Sequence, residues 1–314
     1  MKVSICITVF NAEKLIAPLL QSLLAQIKKA DEIVIVDGGS TDKTVEIIKH
    51  FQRKHKEIKI LLDNCFRARG RNLAVEIAQY PIIAMTDAGC VARKAWLKRI
   101  TGPFVHPEVD IVAGVYESVG DTPMQKALGL FLGYPISKFG VNFLPTARSI
   151  AFRKEAWEKV GGFPEKEQNS AEDTEFNYKA IKLGLKYSRV KDAAVEWGIP
   201  RTLREGIETM GDYAKWDARS AIWWHPTQKL SSHNIRILSI FLRYLVGLSL
   251  LVLGFSSPPL FLIGAFGFII YLIWAFRKVF IEFQNFRVAV WGPVIQILSD
   301  IAIMAGFIRG TIRK

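Results

Sequence analysis

Four carboxylates and three arginines mark where this chain is equipped for chemistry. Asp37 and Asp87 each follow a short apolar run, Glu32-Ile33-Val34-Ile35-Val36 and Ile82-Ile83-Ala84-Met85-Thr86, bounded by turn residues. Such runs read as buried parallel strands. Ligands of open α/β sheets bind outside the carboxyl ends of the strands, so both aspartates are placed to meet a nucleotide or its metal. Glu172 and Asp173 open the segment from Ala171 to Leu183, at the end of a helix that favours carboxylates. Arg67, Arg69 and Arg71 crowd a short loop where guanidinium groups suit phosphate oxygens. Ordinary roles compete with each of these: a turn for Asp37, a helix cap for Asp42, Glu172 and Asp173, solvated surface for any one arginine.

The elements that must position these groups alternate. Lys2 to Phe10 reads as a strand, and Asn11 is suited to cap a helix whose Leu15, Leu19, Leu20, Leu23 and Leu24 form one apolar face. The strand ending at Asp37 leads through Gly38-Gly39-Ser40-Thr41-Asp42 into a helix carrying Val45, Ile47, Ile48 and Phe51. A strand at Ile58 to Leu62, a helix around Asn72 to Gln79 and the strand ending at Asp87 complete a β-α-β-α-β-α-β series, which specifies an α/β, doubly wound sheet. From residue 88 to about 200 the pattern is less regular. An apolar segment, Leu128 to Phe143, broken by Pro135 and glycines, reads as a lid or membrane-facing flap, and Gly161-Gly162-Phe163-Pro164 as a turn.

The last eighty residues read as membrane. The 314-residue chain is 50% hydrophobic, with mean hydropathy +0.19. The excess comes from Ile237 to Phe255, Leu260 to Phe276 and Val288 to Ile308, each near the ~20 residues that cross a bilayer. Before them, Leu203, Ile207, Met210 and Ala214 recur at helical spacing between Arg201 and His225, beside Arg204, Lys215 and Arg219, which fits a helix lying in the interface or an ordinary core helix. Trp216, Trp223 and Trp224 suit interfacial depth. The organisation expected is a catalytic domain over residues 1–200, interfacial helices over 201–234 and a transmembrane domain of about three helices over 235–314. The net charge of +13 is spread widely without a nucleic-acid motif, so anionic lipid and sugar diphosphates explain it better than nucleic acid. Cys6, Cys65 and Cys90 have neither disulfide-framework nor metal-ligand spacing, and the N-terminus lacks a signal-peptide pattern. A reducing cytoplasmic face fits both.

Arg277, Lys278 and Arg287 place the connection after the second span, and the catalytic domain with it, on the cytoplasmic face. Three crossings then put the basic tail Arg309 to Lys314 outside, against the same rule; a re-entrant third segment, with Gly292, Pro293 and Asp300, is the alternative. Three crossings are the expectation adopted. Asp300 is expected to face the bundle, and Arg243, near a helix end, to snorkel.

Taken in order, Ile7-Thr8-Val9-Phe10-Asn11, Val36-Asp37-Gly38-Gly39-Ser40-Thr41-Asp42, Arg71-Asn72, Thr86-Asp87-Ala88-Gly89, Gly161-Gly162-Phe163 and Glu172-Asp173 resemble the family 2 glycosyltransferases of GT-A fold, over roughly residues 1–220. The membrane tail looks like the branch with cellulose synthases and polyprenol-linked sugar transferases. The resemblance implies that Asp37 contacts the nucleotide base, a carboxylate being able to accept a base N–H. It implies that Thr8 and Phe10 help form that pocket, and that Asn11, Gly39, Arg71, Asp87 and Ala88 complete the nucleotide-sugar site. It also carries the general base of an inverting displacement onto Asp173, with Glu172 beside it. The family's D-x-D metal signature is broken, because Gly89 replaces the second aspartate. Mn²⁺ or Mg²⁺ would then rest on Asp87, the diphosphate and water, with His225 or a residue beyond the sheet as a further ligand; arginine neutralisation is the alternative. In place of the Q-x-x-R-W of processive polymerases stands Asp212-Tyr213-Ala214-Lys215-Trp216, which keeps a cation and an indole and loses the glutamine. Trp216, Lys215, Arg201 and Arg204 are the acceptor and interface residues expected.

What the resemblance implies is a membrane-integrated inverting glycosyltransferase that moves a hexose from GDP-mannose or a UDP-sugar, with GDP-mannose preferred, to a lipid-linked polyprenyl acceptor. A processive polysaccharide synthase and a catalytically silent binding subunit are the rival readings.

Overall fold

Strand-length apolar runs and amphipathic helices alternate through the first hundred residues, and the chain folds by that alternation. The structure is a computed structural model and describes residues 1–165, 171–221, 223–224, 229 and 232–312. β1 (Val3–Val9), α1 (Ile16–Leu24), β2 (Glu32–Asp37), α2 (Thr44–Lys54), β3 (Ile58–Leu62), α3 (Arg67–Ile77) and β4 (Ile82–Met85) follow in order. After them come β5 (Cys90–Ala92), α4 (Trp96–Thr101), β6 (Ile111–Val119), α5 (Pro123–Leu132), β7 (Ile150–Arg153), α6 (Lys154–Val160), α7 (Glu172–Lys182) and β8 (Tyr187–Gly198). The strands form one sheet in the order β3-β2-β1-β4-β7-β6-β8-β5. β3, β2, β1 and β4 are parallel, whereas β7 runs antiparallel to β4 and β6, and β5 antiparallel to β8. The doubly wound expectation holds for the parallel half. The irregular stretch after residue 88 supplies the antiparallel half, whose strands and helices vary widely in length, from the three residues of β5 to the twelve of β8.

Period-two alternation on β1 sorts its side chains between two layers. Val3, Ile5, Ile7 and Val9 join Ile16, Leu19, Leu20 and Ile48 on one face. Cys6 joins Ala68, Leu73, Val160 and Phe176 on the other. Each such fully buried aliphatic side chain contributes roughly 1.5–3 kcal/mol. Two helix starts differ from expectation. Asn11 does not cap α1, whose N-cap is Leu15 with no side-chain bond; it adopts φ 47° and serves a loop instead. α3 begins at Arg67, one turn before Asn72, so the crowded arginines lie on the helix and not in a loop ahead of it.

The chain divides into two compact units, residues 1–117 with 134–198, and residues 118–133 with 199–314. The apolar segment read as a flap is therefore split: α5 belongs to the second unit, while Phe139 and Phe143 pack with Val115 in the first. The second unit continues with α8 (Leu203–Ser220), α9 (His233–Gly254), α10 (Pro258–Phe283), α11 (Phe286–Ala289) and α12 (Trp291–Ile312). Among the described residues three helical stretches are long and apolar enough to cross a membrane: Asn234–Gly254, Pro258–Phe283 and Phe286–Ile312. α8 opens on a Thr202/Glu205 capping box.

Asp300 is 1% exposed. It accepts hydrogen bonds from Arg243 Nη2 at 2.9 Å, Tyr244 Oη at 3.2 Å, Gln296 Nε2 at 3.0 Å and Tyr271 Oη. Arg243 thus does not snorkel from a helix end. α9 starts earlier than the apolar run suggests, which places Arg243 mid-helix, where pairing with Asp300 takes the place of reaching water. Only the Asp300 end of this pair is buried, yet removing it leaves Arg243, Tyr244, Tyr271 and Gln296 without their shared acceptor. Asp300→Ala is therefore expected to lower the thermal midpoint of detergent-solubilised protein sharply. Asp300→Asn, which keeps an acceptor oxygen, is expected to lower it much less.

Candidate active site

The parallel strands β2, β1 and β4 end side by side. Val9 is in register with Asp37, and Cys6 with Met85, so Thr8 to Asn11, Asp37 to Asp42 and Thr86 to Gly89 leave the sheet at one edge. The chain turns toward β3 on one side of β1 and toward β7 on the other, which is the topological switch point where such sheets bind ligands.

Asp37, 2% exposed, is more than a turn residue. Its Oδ1 accepts from the backbone N–H groups of Gly39 (3.1 Å) and Ser40 (2.9 Å), while Oδ2 is buried with no hydrogen-bond partner among the described residues. A buried carboxylate oxygen left unmatched is costly in the empty protein and available to a donor N–H. Gly39 makes the turn possible: at φ +91° a Cβ there would stand 2.8 Å from Asn64 Oδ1. Asn11 ties the loop after β1 to the same turn, its N–H donating to Ser40 Oγ (2.8 Å) and its Oδ1 accepting from Thr41 N–H (2.9 Å). Asp42 reaches Thr44 and the Glu13 N–H (3.1 Å). Burial works to raise its carboxyl, but the Thr44 hydroxyl and these N–H groups outweigh it and hold its pKa below the usual value. Thr8 lies against Gly70 of α3, and Phe10 is 62% exposed at the loop tip.

Arg71 is the centre of the second group. Buried on α3, it donates through Nη2 to Asp87 Oδ1 (2.8 Å) and through Nη1 to Glu172 Oε1, with its guanidinium 6.0 Å from the Phe163 ring. It therefore does not present an open guanidinium to phosphate, as the sequence suggested, but spans two carboxylates. Glu172 is 1% exposed, and its Oε2 is buried without a hydrogen-bond partner among the described residues. Burial works to raise the Asp87 carboxyl, yet the charges of Arg71, Arg148 and Arg67 outweigh it and hold its pKa below the usual range. Neither Glu172 nor Asp173 caps α7, whose N-cap is Ala171. Asp173, half-buried, accepts from Ala147 N–H at Oδ2 (3.2 Å) and from Thr174 N–H at Oδ1 (2.8 Å).

Asn72 explains the Gly-Gly-Phe turn. Its amide bonds both backbone groups of Phe163, each at 2.8 Å, and takes the Trp157 indole N–H at 3.2 Å. Gly162, at φ +71°, has no room for a Cβ, which would stand 2.9 Å from Asn72 Oδ1. Two neighbours on α3 thus hold different segments, Arg71 the start of α7 and Asn72 the turn at Phe163. Sequence reasoning missed Arg148 and Trp197. The Arg148 guanidinium lies 4.1 Å from the Trp197 ring centre and 4.8 Å from that of Tyr116, and Trp197 borders Gly89. Nothing in the spacing signals Arg148; only the antiparallel half of the sheet brings it near Asp87. Ala88 packs against the core.

In the second unit, Trp216 carries Lys215 Nζ and the Arg219 guanidinium, each 4.8 Å from its ring centre. Arg204 pairs with Glu208 at 2.8 Å, and Arg201 is exposed. His225 lies outside the described residues.

A metal would find Asp87 as the carboxylate at the end of β4. Asp87 is 30% exposed and already engaged by Arg71, and among the described residues no group of three or more His, Cys, Asp or Glu side chains is placed to hold an ion. That donor set fits a cation that arrives with a diphosphate and keeps most of its own shell.

A mixed sheet with acidic residues at the carboxyl ends of β2 and β4 and an acidic helix start beside them defines a GT-A fold. The sequence matches the family described as Glycosyl transferase family 2 over residues 4–161. The chain belongs to that family. It is 30% identical over 119 residues to glycosyltransferase AglE of Haloferax volcanii (37% of this chain, 39% of that protein). To the uncharacterized glycosyltransferase EpsJ of Bacillus subtilis it is 25% identical over 192 residues (57% and 56%). The chain spans about half the length of these curated relatives or less. Among solved structures it resembles the mannosyltransferase PcManGT from Pyrobaculum calidifontis, solved with GDP-mannose and Mn²⁺, at TM-score 0.68 and 18% identity, covering 96% of this chain and 86% of that one. Residues 1–349 of TarS from S. aureus, in complex with UDP, match at TM-score 0.51 and 22% identity, covering 69% and 65%.

Asn72→Ala is expected to destabilise the protein by about 2–3 kcal/mol, since it strands both backbone groups of Phe163, read as a drop in thermal midpoint. The depressed Asp87 pKa adds stability that is present above about pH 4 and lost as pH falls through the folded value. Asp87→Asn should flatten that part of the acid limb in nucleotide-free protein.

Proposed function

We propose that this protein is a membrane-integrated, inverting glycosyltransferase that transfers one hexose from a nucleoside diphosphate sugar to a hydroxyl of a lipid-linked polyprenyl acceptor, with its catalytic domain on the cytoplasmic face. The observation that carries the reading is the Asp87–Arg71–Glu172 cluster at the switch point, buried at Arg71 and Glu172 and open at Asp87, with Asp173 next to Glu172 in sequence. Asp37, with one oxygen held by its own turn and the other unmatched, is the acceptor for a base N–H. Thr8, Phe10, Asn11, Gly39 and Ala88 shape the surrounding loops. GDP-mannose is the preferred donor and a UDP-sugar the alternative, supported by likeness to proteins solved with such ligands.

Glu172 and Asp173 divide the work by exposure. Glu172, fully buried and paired with Arg71, positions; Asp173, partly accessible, removes the acceptor proton as the hydroxyl oxygen attacks the anomeric carbon. The bond from that carbon to the diphosphate breaks, inverting its configuration and releasing the nucleoside diphosphate. A Mn²⁺ or Mg²⁺ ion, when bound at Asp87, supplies neutralisation of the departing diphosphate. Exposed Arg67, whose charge already acts on Asp87, adds to the same field. Trp216, with Lys215, Arg201 and Arg204, is assigned to the acceptor and the lipid interface, and the chain is read as a catalytic domain over residues 1–200, interfacial helices over 201–234 and a membrane-bound part over 235–314.

Asp173→Asn is expected to lower transfer by about 10²–10⁴-fold while nucleotide binding measured by calorimetry stays intact. Transfer at the wild-type rate would reject Asp173 as the base. A nucleotide panel with and without Mn²⁺ tests the donor, and mass spectrometry of lipid extracts tests the acceptor. No binding to any nucleotide would reject the reading as a whole.

A further inference from the structure

The α9–α10 hairpin and α12 are all apolar enough to cross a bilayer, yet they do not run in the same direction. α9 and α10 pack antiparallel: Gly254 lies beside Phe261, Gly264 beside Leu250, and the Arg243 guanidinium 4.6 Å from the Tyr271 ring centre. These pairs set the levels along the hairpin. Four residues, about 6 Å, from the Arg243–Tyr271 level toward the open end lie Ser239 on α9 and Ala275 on α10. Gly292, near the start of α12, packs on Ala275 and Val279. Phe307, about 22 Å further along α12, packs on Ile237 and on Phe241, with 6.0 Å between the two phenylalanine ring centres. Both ends of this 22 Å stretch, in the helical-rise estimate, therefore meet the hairpin at one level. Asp300, midway between them, meets Arg243 and Tyr271 just above. A helix that meets its neighbours at one level along its length lies across them.

We infer that only the α9–α10 hairpin crosses the bilayer, and that α12 lies in the plane of the membrane across the open end of the hairpin, with α8 alongside. Three independent features converge on this. First, α8 is bound to the C-terminal half of α12, Gly211 against Ala302 and Gly306, Lys215 against Gly310, so the two run in the same direction. A crossing α12 would draw Asp212, Lys215, Asp217 and Arg219 into the hydrocarbon, which is costly for each charge. Second, the exposed large residues of α12 are Val294, Leu298, Ile301, Ile308 and Ile312, all on one helical face, with the polar contacts to Asp300 on the other. One aliphatic stripe is what a helix half-sunk in the acyl boundary presents. Third, Tyr244 to Phe276 carries no charged residue, whereas Arg236, Arg277, Lys278, Arg287 and Arg309 gather at the open end. Two crossings place every one of these cations on one face, whereas three crossings put the basic C-terminus opposite the others. From Arg236 to the turn at Phe255 the hairpin covers about 30 Å, the thickness of the hydrocarbon core.

The inference is independent of donor and acceptor. Its test is the sidedness of single cysteines in the full-length protein in sealed spheroplasts and in inverted vesicles, with a membrane-impermeant maleimide and Cys65→Ser as background. Glu208→Cys on α8 marks the near face, Ser256→Cys the turn and Thr311→Cys the end of α12. Thr311→Cys is expected to label in the same preparation as Glu208→Cys, and Ser256→Cys in the other. Thr311→Cys labelling together with Ser256→Cys would overturn the inference, as would a turn silent in both preparations. Should any variant fail to accumulate, protease access to an epitope appended after Lys314 of the unaltered chain gives the same decision for the C-terminus.

Discussion

Arg71 is the group on which the site depends. A guanidinium buried against an aromatic ring is costly to desolvate, and it persists because two carboxylates from different elements compensate it. Asp87 comes from the end of a central strand, Glu172 from the start of a late helix, and Arg71 from the helix between them in space. The charge therefore fixes three elements that no backbone hydrogen bonds connect at that point. Two carboxylates on one cation leave a net negative charge at a place assigned to a diphosphate. The positive field of Arg148 and Arg67 around Asp87 opposes that surplus.

The parallel half of the fold was legible because its first three strands are each followed by a helix, and the two periodicities are easily told apart. β3 falls on Ile58–Leu62, where its pattern places it. Asp37 and Asp87 were legible as strand-end residues for the same reason. The antiparallel half was not, because short strands such as Cys90–Ala92 are too brief to show any period, and Arg148 owes its place beside Asp87 to that half alone. Arg71 shows a different limit. Its type and place were legible, but whether an arginine faces a ligand or bridges two carboxylates depends on contacts from residues a hundred positions away. Asn11 likewise has the composition of a helix cap, and the nearby turn after Asp37 captured it instead.

The second unit shows why hydropathy stops short of topology. A window average reports whether a helix can dissolve in lipid; it carries no direction. Direction here comes from close packing. Gly211, Gly306 and Gly310 let two helix backbones approach until no Cβ fits between them, so α8 follows α12 wherever α12 goes. Because α8 is charged, that tie transmits the cost of its charges to a helix that has almost none facing outward. Asp300 adds the complementary constraint. It takes donors from α9, α10 and its own helix at once, which pins the middle of α12 to the Arg243–Tyr271 level of the hairpin. The Arg243–Asp300 ion pair and the aliphatic stripe on the opposite face are thus two consequences of a single packing choice.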